Sequence, residues 1–330
     1  MTNDGASVVE REAEEPPTPD TEHEPRTGST GHGAGAARSY ASPAAIGRSI
    51  GTTARRILGG PRFPLLDRMA FVLVALLVLV ALIGIFWTPH DPFMVNTKQA
   101  FLPPGSGHLL GTDNVGRDVL SRILAGAGRT LLIAVAIVLS AAGIGVLVAS
   151  IAALMPTWID EAVMRVCDIL MSLPSLVLAL GLAASLGPSM MSIVLAMIAT
   201  SWPSTARLMR NILRETMTSS YVESARILGM SRLRLMRRHV LPNSLDAIYV
   251  QASMEISGTI VMIAGLAFLG VGAPPPSPDW GSLIAQGQDH ITTAWWIALF
   301  PGLATTLAAI AFGLAGDAVR SSVDPSSRRS

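Results

Sequence analysis

Hydrophobic and polar positions along this chain fall into long blocks rather than the short periods of a soluble fold. Apolar stretches at residues 69–87, 130–154, 163–186, 190–209, 245–271 and 294–319 are separated by polar connections. A helix needs ~20 apolar residues to cross a bilayer. The pattern therefore predicts an all-α, polytopic membrane protein with six transmembrane helices. Gly143, Gly145, Pro174, Pro203, Gly258 and Gly265 fall inside these stretches. Such residues break soluble helices but are common in membrane ones, where small side chains let helices approach. Residues 1–62 lack apolar periodicity and are rich in Glu, Pro, Thr, Gly, Ser and Ala. A segment that cannot bury enough apolar surface to offset its chain entropy is expected to be disordered. It has no early apolar core and does not read as a signal peptide.

Composition agrees with this reading. Hydrophobic residues make up 50% and charged residues 14%, against about 25% charge in a soluble domain. A net charge of +1 gives no case for a nucleic-acid partner. Cys167 is the sole cysteine, so no intrachain disulfide is possible, and it reads as a small core residue. The sole lysine, Lys98, is followed by Gln99. The Gly-Lys-Ser/Thr of a phosphate-cradling loop is therefore absent, and any ATP-driven role must borrow its nucleotide site from another chain.

Arginine placement predicts orientation. Arg55, Arg56, Arg62 and Arg68 precede the first stretch. Arg207, Arg210, Arg214, Arg226, Arg232, Arg234, Arg237 and Arg238 follow the fourth, and Arg320, Arg328 and Arg329 follow the last. The positive-inside rule puts both termini and this basic connection in the cytoplasm. The loop 88–128 is the exception, with Lys98, Arg117 and Arg122 partly balanced by Asp91, Asp113 and Asp118. The expected organisation is a disordered cytoplasmic tail (1–62), a first span with an extracytoplasmic segment (63–128), a five-helix core (129–320) with a cytoplasmic loop at 207–243, and a cytoplasmic tail (321–330).

Residues 221–243, YVESARILGMSRLRLMRRHVLPN, form a water-seeking island between apolar stretches. Tyr221 to Gly229 can form about two helical turns, with Ala225 and Leu228 on a face near Tyr221. Gly229 permits a turn or a close backbone approach, and Pro242 suits the start of the next helix. The spacing of Glu223, Ala225, Gly229, Leu241 and Pro242 resembles the "EAA" loop by which ABC importer permeases grip their ATPase. Further motifs, in order, resemble the C-type subunit of dipeptide, oligopeptide and nickel permeases. They are GTDNVGRD at 111–118, MRVCDILMSLP at 164–174, FLGVGAPPPSPDWG at 268–281, AWW at 294–296 and FPG at 300–302.

That resemblance covers residues 65 to 326 and implies an ABC importer permease fold in the bacterial cytoplasmic membrane. It implies a subunit that is not itself an enzyme and that moves small peptides by alternating access. The implied partners are a second homologous permease (a heterodimer), one or two ABC ATPase subunits that bind ATP and Mg, an extracytoplasmic solute-binding protein and membrane lipid. No cofactor or metal is expected in this chain.

Gly111, Thr112, Asp113, Gly116, Arg117 and Asp118 form the outer motif. Asp113 can cap a helix starting near Val115, and Arg117, Asp118 and Arg122 are spaced to pair along one helix or with a neighbour. The motif reads as bracing of the outer surface or as contact with the solute-binding protein. The loop 274–280, stiff and ending in Trp280, is a second candidate for that contact. Within the stretches, charged residues usually face the bundle interior. Asp168 is either an i,i+3 partner of Arg165 or a pathway residue. Glu255 either lines the pathway and meets a cationic peptide terminus or pairs with a partner helix. A nickel or other small-solute importer remains the alternative cargo, and a stand-alone secondary carrier the alternative class. An intramembrane hydrolase is disfavoured, because no histidine lies in a stretch and no HExxH motif occurs.

Overall fold

The computed structural model describes residues 65–105 and 107–323. The expectations for residues 1–62 and 324–330 lie outside them. Among the described residues the chain is nearly all helical, with no strand and one isolated bridge between Thr112 and Asp118. The α-helices are α1 (Leu65–Phe86), α2 (Val119–Leu154), α3 (Thr157–Met171), α4 (Ser175–Leu186), α5 (Met190–Met217), α6 (Ser220–Ile227), α7 (Arg232–Leu235), α8 (Leu241–Leu266), α9 (Trp280–Gln288) and α10 (Trp296–Val323).

Four helical runs are long and apolar enough to cross a membrane: Leu66–Phe86, Val119–Leu154, Arg232–Val271 and Trp296–Ser322. The chain is a multi-pass membrane protein on this ground. The expected count of six is reached only in part, for two physical reasons. The third stretch is not one helix: it bends by 89° between α3 and α4, at Leu173-Pro174, because the residue before a proline is driven out of the helical region. Counted as one broken span, the pair makes five. Helix α5 is long enough, but Thr200, Ser201, Ser204, Thr205 and its terminal arginines dilute its apolarity below that of the other four.

Helix α2 packs mainly along α5, α8 lies along α10, and α1 rests on α2 and α10. Small residues set these distances. A Cβ on Gly145 of α2 would lie 2.7 Å from Cβ of Thr205 on α5. The main core gathers Ala134, Ile137, Ile193, Ile260, Leu266 and Ile297 from four helices. A second core, with Met209, Leu213, Val222, Met236 and Val240, lies where α5 runs into the basic connection. The two ends of the bundle are thus distinct. The 88–118 and 272–295 loops meet at one, and the basic segment forms the other.

Candidate functional site

The basic segment begins where α5 ends. Helix α6 follows Ser219, and the acidic Glu223 in its first turn complements the positive end of the helix dipole. Val222 is buried, and Tyr221 and Ala225 pack against the same core as Met209, Leu213, Leu235, Met236 and Val240. The other face of α6 is free: Glu223 and Arg226 are exposed. Gly229, at φ +81°, ends the helix. Its N–H donates to Arg226 carbonyl at 3.0 Å, and Met230 N–H donates to Ala225 carbonyl at 3.2 Å, a closure that needs a left-handed residue. Leu228 does not share the face of Tyr221 and Ala225, because the helix stops at Ile227. Ile227 and Leu228 instead project at 81% and 86% exposure. The segment is an apolar tip on an anchored base, edged with Arg226, Arg232 and Arg234.

Beyond it the chain re-enters the bundle through a π turn, Met236–Val240. Pro242 explains this turn. It has no N–H, so the ordinary i→i−4 ladder cannot continue through it. Leu241 N–H donates to Met236 carbonyl five residues back, and Asn243 Nδ2 donates to His239 carbonyl at 2.7 Å. Leu241 is half-buried against the second core and Pro242 is exposed.

At the opposite end, the structure moves the helix cap from Asp113 to Asp118. Helix α2 starts at Val119, and Asp118 accepts from Ser121 N–H and Ser121 Oγ at 2.7 and 2.6 Å. Asp113 has a larger task. Its Oδ1 accepts from Val115 N–H and Arg117 N–H at 3.0 and 2.9 Å. Its Oδ2 accepts from Arg117 Nε and Arg122 Nη1, each at 2.7 Å. Arg117 and Arg122 therefore pair with one loop carboxylate rather than along a helix. Arg122, fully buried, also donates to Ser277 carbonyl at 3.3 Å, and Arg117 reaches Gln286 at 3.1 Å. Trp296 Nε1 donates to Thr112 carbonyl at 3.1 Å.

Gly111 and Gly116 both take positive φ, and a Cβ on Gly116 would stand 1.8 Å from Asn96 carbonyl oxygen. Buried as it is, this motif joins two loops and offers little surface to a partner. Trp280, expected at the tip of an outer contact, is 2% exposed and donates to Ile123 carbonyl at 3.0 Å. His108 Nδ1 lies 2.8 Å from Asp118 Oδ1, with the His90 ring tilted against it at a centroid distance of 4.6 Å, and this group fastens the loop to the α2 cap.

Between the α3–α4 elbow, the middle of α5 and the middle of α8 lies a cavity of about 430 Å³. Glu255 stands on its wall with Gly258, Thr259 and Met262 of α8, facing Thr200, Ser201 and Ser204 of α5. Asp168 is not on that wall, and it does not pair with Arg165. It forms an ion pair with Arg207 of α5. Asp160, Met164, Cys167 and Asp168 share the face of α3 that meets α5, whereas Arg165 is turned away to solvent. On the same face, Asp160 is buried and takes Arg210 Nη2 and Arg214 Nη2 at 2.6 Å each. This cluster escapes a local reading because its partners lie 50 and 54 residues apart. The hydroxyl arc of the cavity does have a local signal: Thr200, Ser201 and Ser204 fall at i, i+1 and i+4 inside an apolar stretch.

Residues 141–329 match the family described as binding-protein-dependent transport system inner membrane component. The chain is 40% identical over 284 residues to a putative peptide transport system permease protein of Brucella suis, covering 85% of this chain and 93% of that one. It is 38% identical over 257 residues to a di/tripeptide transport system permease protein of Pseudomonas aeruginosa (76% and 84% covered). It is 36% identical over 257 residues to a glutathione transport system permease protein of Pectobacterium atrosepticum (78% and 85% covered).

Proposed function

Since this chain belongs to the family of binding-protein-dependent transport system inner membrane components, we propose that it is the permease subunit of an ATP-driven importer of small peptides. Peptide cargo is supported by the names of its relatives, which are described as permeases for peptides, di/tripeptides and glutathione. The chain works in the bacterial cytoplasmic membrane with the basic segment and both termini inside, as the arginine distribution supports. It holds no nucleotide. ATP and Mg bind one or two partner ATPase subunits, a second homologous permease completes the pathway, and an external receptor delivers the solute.

The observation that carries this reading is the form of the basic segment. Ile227 and Leu228 project from a helix whose opposite face, through Val222 and Ala225, is fixed to the bundle core. Apolar residues that fill a pocket carry most of the energy of an interface, and rim charges set its register. An ATPase groove closing on this tip would pull α5 and α8, between which the segment is strung, and both helices line the central cavity. Driving a two-state pathway nearly to completion takes about 5.5 kcal/mol of differential binding, and the tip is where that energy enters.

Gly229→Trp and Glu223→Lys test this in proteoliposomes holding the assembled importer. Both positions are exposed, so the variants reach the membrane. The expected result is a drop of at least ~10-fold in peptide uptake, equivalent to about 1.4 kcal/mol of coupling. Uptake at the wild-type rate in both would remove the docking role.

A further inference from the structure

We propose that the central cavity is a recognition site for a primary ammonium group on the solute in transit, with the Glu255 carboxylate as its counter-charge. The proposal rests on the importer reading above and adds the chemical group that the pathway selects.

Among the described residues, Glu255 is the one charged side chain on the cavity wall. Its Oε1 accepts from Gln251 Nε2 at 2.8 Å, a neutral donor one turn earlier on α8. None of the ion pairs among the described residues involves Glu255. A carboxylate in the middle of a membrane helix costs about 2.5–3.5 kcal/mol on insertion scales. Two other buried acids do meet cations: Asp113 has Arg117 and Arg122, and Asp160 has Arg210 and Arg214. Glu255 has instead a cavity of about 430 Å³, a volume within the range of small-molecule sites.

The rest of the wall suits a donor-rich cation. Thr200 Oγ1 donates its proton to Ala196 carbonyl at 3.0 Å, and Ser204 Oγ donates to Ser201 carbonyl at 2.8 Å. Their hydroxyl protons are used within α5, so each oxygen offers the cavity lone pairs only. A primary ammonium has three N–H donors and no acceptor. One carboxylate and an arc of hydroxyl acceptors complement it, while an anionic group would find no cationic side chain. Leu170, Leu178 and Met262 are among the apolar residues of the wall, and their low polarity strengthens the electrostatic preference relative to open water.

The test uses the assembled importer in lipid nanodiscs without its external receptor, so that receptor selectivity plays no part. Binding of radiolabelled alanylalanine is compared with that of its Nα-formyl derivative, which lacks the ammonium. The wild type is expected to favour the free amine at least tenfold, Glu255→Gln to abolish that preference, and Glu255→Asp to keep most of it. A wild type that binds both peptides alike, or a Gln variant that keeps the preference, overturns the proposal. ATP-driven uptake by the wild type is measured in parallel in proteoliposomes with the external receptor present. No peptide uptake removes the importer reading itself, whereas uptake without an amine preference removes only the ammonium site.

Discussion

Gly116 and Gly229 adopt nearly the same backbone conformation, at φ +78° and +81°, in regions built on opposite plans. Around Gly116 the chain is closed. Asn96 carbonyl and Ala100 N–H crowd the space a side chain would need, and Asp113, Arg117 and Arg122 beside it are buried and paired. Around Gly229 nothing lies within 4 Å of a would-be Cβ. Its neighbours Ile227 and Leu228 are among the most exposed apolar residues of the protein. One glycine is required by both conformation and packing, the other by conformation alone. The difference separates a region that holds the bundle together from one that leaves room for something else. An exposed apolar tip that the fold does not use is suited to a surface the chain does not itself contain.

The comparison breaks most visibly at Asp113. Asp113→Ala removes the shared acceptor of two buried guanidinium groups, and an uncompensated buried charge costs about 3–5 kcal/mol. The expected outcome is a large fall in melting temperature in detergent, or loss of the folded protein from the membrane. A shift of only a degree or two would mean that water reaches Arg122 and that the loop junction is less closed than its burial implies.

The paired substitutions Gly116→Ala and Gly229→Ala sharpen it. Both place an L-residue in the left-handed region, at about 1–2 kcal/mol. Only Gly116→Ala also drives a methyl into a carbonyl oxygen, which adds about 1–3 kcal/mol of overpacking. Thermal unfolding of the two variants side by side should therefore differ by at least ~1 kcal/mol, with Gly116→Ala the less stable. Equal losses would show that the closed and open regions are not distinct in energy.

What the sequence revealed, and what it hid, follows the same division. The basic segment was legible, because Glu223, Gly229, Leu241 and Pro242 act over a few residues: a dipole, a left-handed stop, a missing N–H. The apolar stretches were legible from their length. The start of α2 was legible only roughly: a helix was expected near Val115 with Asp113 as its cap, and it begins at Val119 with Asp118 as its cap. Asp113, nine residues before Arg122, is instead that arginine's buried partner. Asp168 was misassigned for a similar reason: the candidate partner Arg165 is near in sequence, but the face of α3 that carries Asp168 looks at Arg207. The elbow between α3 and α4 was signalled by Pro174 alone, which fixes a break but not an angle of 89°. Local chemistry can be read from a window of residues, whereas charge pairing across helices requires the fold first.

The smallest change in stability is expected at the tip. Leu228 is 86% exposed and contributes nothing to either core. Leu228→Ser should then leave the melting temperature of the isolated permease within the range of ordinary surface changes, about ±0.5 kcal/mol. Transport should not be spared. A leucine that enters a partner's pocket loses about 1.5–3 kcal/mol of burial when replaced by a small polar residue, enough to cut ATP-driven uptake more than tenfold. The informative quantity is the ratio of the two effects. At Asp113 stability and uptake fall together, since a bundle that opens transports nothing. At Leu228 uptake falls alone. If Leu228→Ser proved neutral in both assays, the apolar tip would be ordinary exposed surface. The contrast between the two glycine turns would then concern folding only.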